Sequence, residues 1–169
     1  MKHLKLEDFF SDDIRNEFTT NQIKPKLTVD FTGRFSLNAK LIQEYTERLD
    51  YQELINAKLG ARSPLYFSVI NPVKRGSHYT GVISTSAERF EKHGYPVVNI
   101  NDKGTGSKIG IANFLVDHTS GEEPDIEVDW NVKRKVGKHT TTGWKLTFYP
   151  TITGDSMLDD CLTFPMFLY

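Results

Sequence analysis

The stretch Asp125–Tyr149, DIEVDWNVKRKVGKHTTTGWKLTFY, decides the fold. Ile126, Val128, Trp130, Val132 and Val136 alternate with Asp125, Glu127, Asp129, Asn131, Lys133 and Lys135. A period of two is the signature of a strand with one buried and one wet face. Trp144, Leu146 and Phe148 repeat the pattern against Lys145, Thr147 and Tyr149. The two segments therefore predict a long hairpin over about 125–149, turning near VGKHTTTG. The same alternation puts Trp130 and Trp144 together on its buried face.

Upstream of the hairpin the chain reads as further short strands and helices. Leu27, Val29 and Phe31, then Phe35 and Leu37, predict two strands broken at Thr32-Gly33. Asn38 can cap a helix whose apolar face is Leu41, Ile42, Tyr45 and Leu49. Asp50 and Glu53 have capping-box spacing for a second helix that Gly60 would end. Pro64 and Pro72 bracket the β-rich run LYFSVIN, and HYTGVIS follows as another. A short helix, AERFEKH, follows Ser86 and stops at Gly94, with His93 as a C-terminal cap. Residues 97–101 and 108–116 are expected as strands joined by NDKGTGS. Leu6, Phe10, Ile14 and Phe18 recur every fourth residue, which predicts an amphipathic helix within residues 1–20. The apolar residues 150–169 are expected to pack as an irregular tail.

The sum is one α+β domain over residues 1–169, with a mostly antiparallel sheet and two to four short helices. A length of 169 residues suits a single core, and 38% hydrophobic residues with 25% charged residues place the chain among folded proteins. Cys161 is the sole cysteine, so no intramolecular disulfide can form. That usage, the early acidic residues and the lack of a long apolar run predict a cytoplasmic protein with no membrane span.

Charge narrows the function classes. Lys and Arg number 21 against 22 Asp and Glu, for a net charge of −1. Attraction to a polyanion must then come from a local patch. The densest patch is Lys133, Arg134, Lys135, Lys138 and His139, with Lys145 nearby and Lys74-Arg75 as possible neighbours. It predicts a non-catalytic binding or regulatory protein whose partner is nucleic acid or an acidic protein surface. No cofactor is implied.

Four other motifs compete with that reading. Lys103–Gly110, KGTGSKIG, misses both the P-loop and the dinucleotide-binding spacings and reads as a glycine-rich turn. Asp117, His118, Glu122, Glu123 and Asp125 crowd one loop without a calcium- or zinc-site spacing, so no metal site is expected. His78-Tyr79-Thr80 and His139-Thr140-Thr141 resemble the paired motifs of the 2H phosphoesterases. That resemblance implies His78 and His139 as acid and base on a phosphodiester, with Thr80 and Thr141 binding its oxygens. Gly81 and Thr142 depart from it, because apolar strand residues belong there. Lys26–Glu44 resembles the strand–turn–strand–helix of AbrB-type swapped-hairpin domains, which implies a dimeric DNA-binding element. Asn38 stands where that family usually has proline. A third reading is a structural or assembly subunit, including a homo-oligomer, held through the aromatic arm and the tail.

Overall fold

The turn at Thr32-Gly33 folds as its composition demands. Leu27–Asp30 (β1) and Arg34–Leu37 (β2) pair antiparallel, with Val29 opposite Phe35. Asp30 Oδ1 accepts from the Thr32 amide at 2.9 Å, and Gly33 adopts φ +87°. Gly33 is needed twice over, because a Cβ there would also lie 2.9 Å from the Ile109 Cα. Asn38 then caps Ala39–Arg48 (α1), its Oδ1 accepting from the Leu41 amide at 2.9 Å. Leu41, Tyr45 and Leu49 are buried, as their spacing predicts.

This computed structural model describes residues 24–49, 65–71, 79–166 and 168. The expected N-terminal helix and the helix after Asp50 fall outside those residues. The remaining elements are Leu65–Ile70 (β3), Tyr79–Ser84 (β4), Glu88–Glu91 (α2), Val98–Ile100 (β5) and Thr105–Ser107 (β6). They continue with Ile109–Asp117 (α3), Ile126–Val136 (β7), His139–Phe148 (β8), a 3₁₀ turn at Gly154–Ser156, Met157–Leu158 (β9) and Cys161–Met166 (β10).

The strands form two antiparallel five-stranded sheets, ordered β6-β2-β1-β8-β7 and β5-β3-β4-β10-β9. The α+β class is as expected, with two sheets in place of one. Their apolar faces share a single core. Phe35 of the first sheet meets Phe67 of the second at 5.7 Å between ring centroids, and Phe67 stacks on Phe164 at 6.3 Å. Burying such rings supplies much of the apolar area that drives folding. Gly106 lets the chain cross between the sheets: a Cβ there would come within 2.2 Å of the Asn99 carbonyl oxygen.

Three expectations are corrected. Residues 109–117 are helix, where strand was expected. Ile111, Ala112 and Leu115 occupy one face of a helical turn and are buried, and burial on the core overrides the β propensity of Ile and Val. The tail is ordered in part as β10, which pairs with β4. Pro165 is tolerated because β9 reaches only Cys161 and Leu162, so that among the described residues no strand pairs with the far side of Pro165. Trp130 is 54% exposed and shares no buried face with Trp144, which packs against the core.

Candidate nucleic-acid interface

The ladder breaks at Trp130. From Ile126 to Asp129 the β7–β8 ladder runs in register, ending at Asp129 opposite Lys145. It resumes with Val132 opposite Gly143. Three steps on β7 match two on β8, which is a one-residue β-bulge. Side chains alternate faces, so the extra residue reverses every facing assignment beyond it. Lys133 and Lys135, opposite Thr142 and Thr140, continue the face that carries Val128, Leu146 and Trp144. Val132, Arg134 and Val136 join the outer face with Lys145.

The hairpin also outruns its support. β1 pairs with β8 only from Leu146 and Phe148 out to Lys145, opposite Asp30. Beyond that point β7 and β8 form a two-stranded ribbon, in which Lys133, Lys135, Lys138, His139 and Thr140–Thr142 are all exposed. The ribbon turns through Gly137 and Lys138, with Gly137 at φ +64°. A glycine in the first turn position matches the right-handed twist of the strands. His139 is therefore the first residue of β8, opposite Val136, and not part of a loose loop. From Trp130 to Pro150 the sequence contains no carboxylate. At about 3.4 Å per residue, the seven residues from Trp130 to Val136 reach about 20 Å.

Two contacts fix the root of the ribbon. Arg134 Nε lies 3.2 Å from Asp30 Oδ2, and the Asp30 side chain is only 4% exposed. Asp30 is also bound by the Thr32 amide and hydroxyl, so its charge is held in place. The Phe31 ring lies against Gly143, where a Cβ would come within 2.2 Å of it, and the Phe31 amide donates to the Trp144 carbonyl at 3.0 Å.

The other anticipated sites have different placements. Lys74, Arg75 and His78 lie outside the described residues. Thr80 stands on β4 of the second sheet, opposite Pro165, and Thr141 stands on the ribbon of the first, opposite Arg134. The two hydroxyls therefore do not occupy neighbouring strands, which the phosphoesterase motif requires. The Lys26–Glu44 element does form, yet β1 pairs with β8 and β2 with β6 of the same chain.

The acidic loop organises itself. Glu123 is buried and accepts from the Thr119 hydroxyl at 2.7 Å and the Gly121 amide at 2.9 Å, with a short bond from the Ser120 amide. Burial pushes its pKa up, but the Ser120 amide and Thr119 hydroxyl outweigh that and hold it at about 2. Among the described residues no group of three or more His, Cys, Asp or Glu is placed to hold a metal. A cleft of about 650 Å³ runs between Glu44, Asp125, Glu127 and Tyr149, with Lys24 as its one cation among the described residues. Cys161 is buried, and burial raises its thiol pKa, which suits packing and not nucleophilic attack. Among the described residues no helix is long and apolar enough to cross a membrane.

Sequence reasoning missed Asp30 and Arg34, which the fold brings to the foot of the ribbon. Their only signal was position: each flanks the predicted turn at a polar place in an alternating strand. No family model, curated protein or solved structure matches the chain.

Proposed function

We propose that this is a non-catalytic nucleic-acid-binding protein that engages backbone phosphates with the β7–β8 ribbon. The observation that carries the reading is the ribbon itself: an exposed arm bearing Lys133, Arg134, Lys135 and Lys138, free of carboxylates, on a chain of net charge −1. A two-stranded ribbon is narrow enough to enter the major groove of duplex DNA. Cations on both of its faces suit a groove walled by two phosphate strands. The Thr140–Thr142 hydroxyls add neutral donors that phosphate oxygens accept.

The test is a fluorescence titration of labelled DNA and RNA at increasing salt. Four cation–phosphate contacts on duplex DNA would give a log–log slope near about −3.6. Changing Lys133 and Lys135 together to Glu should abolish binding while the melting temperature holds, since both are exposed. A parent protein that binds neither DNA nor RNA at low salt overturns the proposal, and an acidic protein surface becomes the partner to seek.

A further inference from the structure

The ribbon cations do not account for Arg34 and Lys145, which stand on the outer face of the first sheet. The strand registers place Ser36, Thr28 and Thr147 side by side across β2, β1 and β8. One step toward the ribbon, the next positions on β2, β1 and β8 are Arg34, Asp30 and Lys145. Beyond the bulge, Arg134 turns onto this same face. Together these residues line an open cleft of about 250 Å³, walled by Thr28, Asp30, Arg34, Ser36, Arg134 and Lys145.

The charge balance of the cleft is uneven. Three cations face one carboxylate, and that carboxylate is already engaged by Thr32 and Arg134. The buried Nε of Arg134 sits 3.2 Å from Asp30 Oδ2, so the one carboxylate of the cleft is already offset by one of its cations. Among the described residues no carboxylate comes within ion-pair distance of Arg34 or Lys145. Asp129, the cross-strand neighbour of Lys145, has Oδ1 turned to the Asn131 amide.

We propose that this cleft is a phosphate-binding site in which Arg34, Arg134 and Lys145 hold the anion and the Thr28 and Ser36 hydroxyls donate to its oxygens. Guanidinium forks match phosphate oxygens in pairs, and the ammonium adds a point charge. The phosphate belongs either to a nucleic-acid backbone running from the ribbon onto the sheet or to a free phosphorylated ligand. Both present the same group to the cleft. The site shares Arg134 with the ribbon and uses none of Lys133, Lys135 or Lys138.

The experiment is an NMR titration of the full chain with inorganic phosphate, against chloride at matched ionic strength. Saturable shifts are expected at the amides of residues 28–36 and 143–146, with residues 136–139 at the ribbon tip unmoved. Arg34→Gln and Lys145→Gln should each weaken phosphate binding about tenfold. Both residues are at least partly solvent-exposed, and an unchanged melting temperature confirms that the fold survives. The Lys133→Glu/Lys135→Glu protein should bind phosphate as the parent does, which separates this site from the ribbon. If Arg34→Gln also lowers duplex affinity and reduces its salt slope by about one, the phosphate is that of a backbone. If duplex binding is unchanged while phosphate binding falls, the ligand is a free phosphorylated molecule. Shifts that never saturate, or an Arg34→Gln protein that binds phosphate like the parent, overturn the proposal.

Discussion

The two halves of the β7–β8 hairpin share one sequence pattern and have opposite fates. In the base half, Ile126, Leu146 and Phe148 are buried, with β1 as a third strand and the second sheet stacked beneath. In the outer half, Trp130, Val136 and both lysines of β7 are exposed, and among the described residues only the two strands support one another. Alternation reports that a strand has two faces. Whether either face is covered depends on what lies across from it, and that layer stops at the Asp30–Lys145 pair. A ribbon without a third layer keeps its polar groups in water, where they remain available to a partner.

The largest expected effect tests this contrast directly. Phe148→Ala and Leu146→Ala remove buried groups from the base and should each cost about 2–5 kcal/mol in equilibrium denaturation. Trp130→Ala removes a larger side chain from the ribbon, yet should change stability by no more than about 0.5 kcal/mol. Comparable losses at Trp130 and Phe148 would show that the outer half is covered after all.

A smaller effect is expected at the joint between the halves. Gly143 faces the Phe31 ring, so Gly143→Val must push the ring or the strand aside, at about 1–3 kcal/mol by overpacking. Circular dichroism melts would measure the loss. Amide shifts should move around Phe31 and Trp144 while the Gly137 turn stays as it was. A Val at this position that leaves both stability and the Phe31 signals intact would mean that the ring does not anchor the ribbon.

The smallest effect concerns the loop that feeds the base. The carboxyl of Glu123 is held at about 2, below its ordinary 4.5, so it stabilises the fold when ionised. That contribution is complete above about pH 5 and is lost as pH falls toward about 2. Glu123→Gln should therefore be less stable than the parent at neutral pH, with the gap closing on acidification. Hydrogen exchange should speed up around Thr119–Glu123 and leave the ribbon tip unaffected. A stability gap that stays constant from pH 7 to 2 would remove Glu123 from this role.

Local pattern carried much of the architecture. The turn at Gly33, the Asn38 cap and the β3, β4 and β7–β8 strands all follow from nearest-neighbour chemistry. The α3 helix was not legible, because IGIANFLVD is apolar on nearly every side and its period is ambiguous until the core selects one face. The β10 strand was hidden by Pro165, which local rules assign to loops and which only an open sheet edge accommodates.

The sequence by itself determined the composition of the candidate interface: a run of cations without carboxylates, on a hairpin, in a chain otherwise neutral. Tertiary structure decided which way those cations face. A single extra residue near Trp130 turns Lys133 and Lys135 to one side and Arg134 to the other, and β1 and β2 then bring Asp30 and Arg34 up to meet Arg134 and Lys145. A bulge shifts pairing by one residue without changing the alternating pattern on either side of it. It is set by how two distant strands dock, so a reading along one strand does not contain it.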